Sequence, residues 1–144
     1  MKKYYVDSCI YLNLWQKETS QKTKAPFWRF AKEFFEEAQN NNATIYYSGY
    51  LLRELMFILS EKEFKQKREL FESSPNFKKI RLSQEEYQLA RKIESNIEFE
   101  ISFYDIIHML LAKKTKSTLI TRDRKLKEIA TKYSVKIKLP EQAL

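Results

Sequence analysis

Thr118-Leu119-Ile120-Thr121-Arg122-Asp123-Arg124-Lys125-Leu126 is the stretch that decides the fold. Thr118–Thr121 is short, apolar and β-branched, and reads as a strand. An aspartate follows, and a charged helix runs from Arg124 to Lys132. The start of the chain repeats the arrangement: a strand Lys3–Val6, then Asp7, then a helix Cys9–Gln16. A short strand that passes into a helix through an acidic residue is the repeating unit of a parallel α/β sheet. In such sheets ligands bind outside the carboxyl ends of the strands, which is where Asp7 and Asp123 fall.

The rest of the chain alternates in the same way. Pro26 opens a helix at its first turn. Phe27, Phe30, Ala31, Phe34, Phe35 and Ala38 recur along it at helical spacing. Thr44–Tyr47 is a second strand, after which Ser48 caps a helix Tyr50–Leu59. A charged helix Glu61–Phe71 follows, then a third strand Phe77–Leu82. Ser83 and Glu86 form a capping box that starts a helix reaching Glu94. Ser102–Lys114 is another helix, and Val135–Lys138 is a last strand that Pro140 ends. Five strands with helices between them predict an α/β fold, a parallel sheet covered on both faces. No repeat or linker divides the chain, so one domain is expected over residues 1–144.

Composition narrows the function. Gly49 is the only glycine, which excludes a glycine-rich phosphate loop and a dinucleotide fingerprint. One cysteine (Cys9) and one histidine (His108) allow no intrachain disulfide and argue against a zinc site. There is no signal-peptide pattern and no run of about 20 apolar residues to span a bilayer. A soluble, cytoplasmic protein is expected. The net charge of +8 suits a polyanionic partner, although a solvated lysine-rich surface would look the same.

Four acids stand out: Asp7, Glu54, Asp105 and Asp123. Taken singly, Asp7 and Asp123 read as N-caps, and Asp105 as part of a capping box with Ser102. Glu54 fits that reading worst, because its helical neighbours Tyr50, Leu51, Phe57 and Ile58 are apolar or aromatic. A carboxylate so placed needs a partner, either a base such as Arg53 or Lys113, or a metal. Carboxylates that converge cannot all ionise without a cation, and oxygen ligands suit Mg²⁺ or Mn²⁺. An acidic metal site on a basic chain points to phosphodiester chemistry on nucleic acid. Ser8 and Thr121 flank the acids and can orient them. Arg122, Arg124, Lys125 and Lys127 beside Asp123 can hold substrate phosphates, or can simply solvate a helix start. His108, one turn beyond Asp105, reads as structural rather than as a ligand.

Val6-Asp7-Ser8, a glutamate in an apolar helix, Phe103-Tyr104-Asp105-Ile106-Ile107-His108 and the closing Leu119–Leu126 box together resemble the PIN-domain ribonucleases. The resemblance spans nearly the whole chain. It implies a three-layer α/β/α sandwich around a five-stranded parallel sheet, and a Mg²⁺- or Mn²⁺-dependent nuclease acting on RNA. Its acids map onto Asp7, Glu54, Asp105 and Asp123, and its supporting hydroxyl onto Ser8 or Thr121. A compact chain of this kind is similar to the toxin of a VapBC toxin–antitoxin pair, which implies a homodimer inhibited by a small antitoxin protein. Two other readings keep the fold: a non-catalytic RNA- or protein-binding module, and an RNA-processing nuclease outside toxin–antitoxin systems. A phosphohydrolase using Asp7 as nucleophile would need a second aspartate two residues on, where Cys9 stands.

Overall fold

The structure is a computed structural model and describes residues 2–143. Five strands, β1 (Lys3–Val6), β2 (Thr44–Tyr47), β3 (Phe77–Lys79), β4 (Thr118–Ile120) and β5 (Ile137–Lys138), form one sheet of order β3-β2-β1-β4-β5. Every neighbouring pair is parallel. Seven helices connect and cover it: α1 (Ser8–Trp15), α2 (Phe27–Asn40), α3 (Gly49–Ile58), α4 (Glu61–Ser73), α5 (Gln84–Asn96), α6 (Phe103–Thr115) and α7 (Arg124–Lys132). A single 3₁₀ turn, Pro140–Gln142, follows β5.

Side chains alternate across the central strands, so the sheet has a core on each face. Tyr4, Val6, Ile45, Tyr47 and Ile120 pack with α1, α2, α3 and α4. Tyr5 and Leu119 point the other way, into a core made with α5, α6 and α7. Each large apolar side chain fully buried in these layers contributes about 1.5–3 kcal/mol relative to exposure, which is why short strands of three or four residues suffice. The result is the three-layer α/β/α sandwich expected.

β1 is the branch point of the topology. The chain steps from β1 to β2 and β3 on one side, then returns to place β4 and β5 on the other. Crossover connections therefore diverge at the carboxyl ends of β1 and β4, the position where open α/β sheets form their ligand crevice. Val6 pairs with Ile120, and the Asp7 amide donates to the Ile120 carbonyl at 2.9 Å. This register sets Asp7 and Thr121 side by side at the strand ends.

Element boundaries differ from expectation where capping or packing intervenes. α1 starts at Ser8, one residue early, because the Asp7 side chain accepts from the Ser8 amide. β3 stops at Lys79 rather than Leu82; after the Ile80 amide donates to the Tyr47 carbonyl, Ile80 and Leu82 turn into the second core. β5 keeps only Ile137 and Lys138, since Val135 is buried in that core as well. The Ser83–Glu86 capping box is present, and Ser60 with Glu63 makes a second one at the start of α4. Among the described residues no helix is long and apolar enough to cross a membrane.

Candidate metal centre

Asp7 sits at the end of the central strand and is 5% exposed. One carboxylate oxygen accepts from the Ser8 amide at 2.8 Å. The other accepts from the Thr121 hydroxyl at 2.7 Å. Thr121 Oγ1 in turn accepts from the Asp123 amide at 3.1 Å, so one buried hydroxyl ties the ends of β1 and β4 together. Of the two hydroxyls expected to orient the acids, Thr121 makes the short contact. The Ser8 hydroxyl lies 3.5 Å from the same carboxylate, and its main-chain amide makes the stronger bond. Cys9 is a neutral neighbour: its thiol donates to Asp7 at 3.6 Å, and burial pushes its pKa up.

Glu54 projects from α3 into the same corner. Its side chain keeps 21% exposure, and Oε1 lies 2.5 Å from His108 Nε2. This corrects two expectations. The partner is His108, not Arg53 or Lys113, and the flanking Phe57 and Ile58 are open to solvent, at 71% and 54% exposure. The apolar run around Glu54 reflects the buried residues Leu51 and Leu55 on its inner side, together with an uncovered outer side.

His108 is fully buried on α6 and connects Glu54 to the core. Its Nδ1 is 2.7 Å from the Tyr5 hydroxyl, which is 2.7 Å from Ser48 Oγ. Ser48 caps α3, accepting from the Leu51 amide at 3.2 Å. One assignment satisfies every group: Ser48 donates to Tyr5, Tyr5 donates to Nδ1, and Nε2–H donates to Glu54. Burial works against a charge on His108, but the Glu54 hydrogen bond and the charges of Asp7, Glu54 and Asp105 outweigh it and raise its pKa. His108, read from the sequence as structural, thus stands inside the candidate site. One signal could have found it. A helical residue three positions after Asp105 shares its face, and a lone imidazole there is a natural partner for an otherwise stranded Glu54.

Among the described residues, donor atoms of Asp7, Glu54 and His108 all lie within 4.8 Å of one another. Asp105 opens α6, its amide donating to the Ser102 hydroxyl at 3.1 Å. Its own pKa is pushed up to about 6, first by burial and then by the charge of Asp7, with Asp123 adding and His108 opposing. Asp105 therefore shares the electrostatic field of the cluster without belonging to its tight core. Asp123 is exposed, and its carboxylate accepts from the amides of Lys125 and Leu126, capping α7. The structure brings Asp7 and Glu54 together and leaves Asp105 and Asp123 at the rim.

Arg122 does not have the freedom expected of a phosphate-holding cation. Its guanidinium grips Glu141 through two bonds of 2.8 and 3.0 Å, donates to Asn13 at 3.2 Å, and lies 3.9 Å from the Phe27 ring centroid. With 14% side-chain exposure, it fastens the chain's last turn to α1 and α2. Arg124 and Lys125 are exposed on the first turn of α7.

The raised pKa values give a pH prediction. A group whose pKa is higher in the folded state stabilises the fold at low pH, and that contribution is lost as pH rises through the folded value. For Asp105 the window runs from its ordinary 3.8 to about 6, and the raised His108 value acts in the same direction above it. Metal-free protein is expected to melt at progressively lower temperature as pH rises through this window. Millimolar Mg²⁺ is expected to oppose the decline, more at pH 7.5 than at pH 5. In Asp105→Asn the metal-free decline should flatten; parallel curves for the two proteins would remove Asp105 from the cluster.

The comparisons agree with this architecture. The family model described as PIN domain matches residues 4–132. A chain of VapBC2 from Rickettsia felis, in a structure bound to a DNA fragment from its promoter, is 19% identical with a TM-score of 0.67, covering 95% of this chain and 98% of its own. A chain of FitAcB from Neisseria gonorrhoeae is 16% identical with a TM-score of 0.61, covering 95% of this chain and 97% of its own. A domain of a protein from Methanocaldococcus jannaschii is 21% identical with a TM-score of 0.60, covering 96% of this chain and 91% of its own. Among curated proteins none matches the chain.

Proposed function

The chain belongs to the PIN-domain family, and on that premise we propose that it is a divalent-metal-dependent endoribonuclease, the toxin of a type II toxin–antitoxin pair. The observation that carries this reading is the pairing of Asp7 and Glu54 at the carboxyl ends of β1 and β4, with Asp105 and Asp123 at the rim. Two carboxylates, each held by its own buried hydrogen-bond donor, form a donor set suited to a hard cation such as Mg²⁺ or Mn²⁺. Asp105, with its pKa raised first by burial and then by the charge of Asp7, is a carboxyl whose ionisation a cation would favour. Asp7, Glu54, Asp105 and Asp123 are the proposed ligands and catalytic acids.

Asp7, Glu54, Asp105 and Asp123 would hold such a cation, and the chemistry it would supply there is activation of a water and relief of charge on the scissile phosphate. The chain's own residues do the positioning. Thr121 aims the Asp7 carboxylate, and His108 holds Glu54 towards it, so neither acid must reorganise as charge develops. Arg124 and Lys125 draw the RNA backbone to the mouth of the site.

The likenesses to VapBC2 and FitAcB support the toxin part of the proposal. So does a patch of three consecutive exposed apolar residues, Met56, Phe57 and Ile58, just beyond Glu54 on α3. Exposed apolar patches of this kind mark protein interfaces, here for a second copy or for a small antitoxin protein. Expression of the wild-type chain in a bacterium lacking any antitoxin is expected to arrest growth and deplete intact RNA, and Glu54→Gln is expected to do neither. Normal growth with folded wild-type protein present would contradict the toxin role.

A further inference from the structure

A cavity of about 400 Å³ opens beside the acids, at the carboxyl ends of β4 and β5. Its size falls within the roughly 300–1,000 Å³ of small-ligand pockets. Thr121 and Asp123 form the wall it shares with the acidic site, and Phe27 and Leu139 give it an apolar side. Four cations line the remainder: Arg122, already clamped to Glu141, with Arg124 and Lys127 from α7 and Lys138 from β5.

Among the described residues most Lys and Arg side chains make no ion pair, so what sets Arg124, Lys127 and Lys138 apart is that they gather around one cavity beside the acids. Arg91, Lys114 and Arg122 each hold a carboxylate. Among the described residues Arg124, Lys127 and Lys138 make no ion pair with an acid. The first turn of α7 also carries no acid and begins Arg124-Lys125. A helix dipole disfavours cations at its N-terminus, by about 0.3–1 kcal/mol each. Arg124 and Lys127 on α7 and Lys138 on β5 thus gather unpaired positive charge around one cavity. The wall behind them is rigid, because the two bonds from Arg122 to Glu141 lock the end of β4 to the chain's last turn.

We propose that this cavity seats one nucleotide of an RNA strand directly beside the scissile phosphate. Arg124, Lys127 and Lys138 take its phosphate, and the side formed by Phe27 and Leu139 takes its sugar or base. The mixed lining fits that division, since a nucleotide pairs a charged end with a flat, weakly polar one. The seat rests on the nuclease reading of the acids for its role in cleavage, but its affinity for RNA can be measured without metal.

The test is binding of a fluorescein-labelled 12-nucleotide RNA of mixed sequence in EDTA, followed by anisotropy across a salt series. The proteins compared are wild type, Lys127→Gln, Lys138→Gln and, as a distal control, Lys92→Gln on the exposed side of α5. Melting temperatures establish that each is folded. Loss of one phosphate contact lowers the log–log salt slope by about 0.7 for a single strand. That drop, with several-fold weaker binding, is expected for Lys127→Gln and for Lys138→Gln and is not expected for Lys92→Gln. Unchanged slopes at both cavity lysines, or an equal drop at Lys92, would overturn the seat. Lysine-dependent binding without any cleavage in Mg²⁺ would uphold the seat and remove the nuclease reading.

Discussion

Asp7→Asn is expected to lose RNA cleavage by roughly 10²–10³-fold or more, the scale of removing one preorganised electrostatic contact from a transition state, while melting close to the wild-type temperature. The fold should tolerate the change because asparagine caps a helix as well as aspartate does. The retained carbonyl oxygen can still accept from the Ser8 amide, as Asp7 does at 2.8 Å. The Thr121 hydroxyl can rotate to accept from the new amide instead of donating to the carboxylate. What disappears is one negative charge at the centre of the site. That charge contributes to raising the Asp105 pKa to about 6, so the Asp105 titration, followed by carboxyl carbon NMR, should move down in the variant. A variant that unfolds would make Asp7 chiefly a cap. A folded variant that cleaves like wild type would take Asp7 out of the chemistry.

His108→Ala is expected to give the largest loss of stability among the site variants, about 3–5 kcal/mol. It empties a fully buried volume and deprives the buried Tyr5 hydroxyl of one of its two partners. Against a typical stability of about 5–15 kcal/mol, the protein should still fold at low temperature. The functional expectation is separate. His108 fixes Glu54 from behind, and loss of such an orienting partner typically costs about 10–100-fold in metal affinity. Mn²⁺ affinity measured by electron paramagnetic resonance should fall by that factor. In a Glu54→Gln background the same histidine change should cost almost nothing further, since the two act through one contact. Tyr5→Phe, which removes only the hydroxyl, should cost about 1 kcal/mol in stability and loosen Mn²⁺ binding less. Folded His108→Ala with wild-type Mn²⁺ affinity would reduce the histidine to a packing residue.

The strands and their acids were readable because each signal was local. A short run of aromatic or β-branched residues followed by aspartate, Tyr4-Tyr5-Val6 before Asp7 and Thr118–Thr121 shortly before Asp123, defines both the strand end and the helix start, and the parallel register then needs only ordinary α/β winding. The capping box at Ser83–Glu86 was legible for the same reason. What could not be read was set by contacts distant in the chain. Glu54 and His108 are far apart in sequence, and the one hint, that His108 shares a helix face with Asp105, does not by itself fix which side chain it meets. Arg122 looked like one more surface cation beside Asp123. Only the return of the last turn, bringing Glu141 to it, shows a structural clamp. Phe57 and Ile58 looked like core by spacing but face solvent, because helical periodicity cannot tell a buried side from an uncovered one. The sequence singled out four acids and set Glu54 apart as the one hardest to explain as a cap; the folded chain brings Glu54 and Asp7 together at the centre.

The most direct measurement is cleavage of a mixed pool of RNA by the purified protein with Mg²⁺, with Mn²⁺ and with EDTA, beside Asp7→Asn prepared identically. Cleavage in either metal, absent in EDTA and lost in the variant, is the predicted result. Equal cleavage in EDTA, or no cleavage of any transcript by folded wild-type protein in either metal, would contradict the assignment of the acids to a metal-dependent nuclease centre.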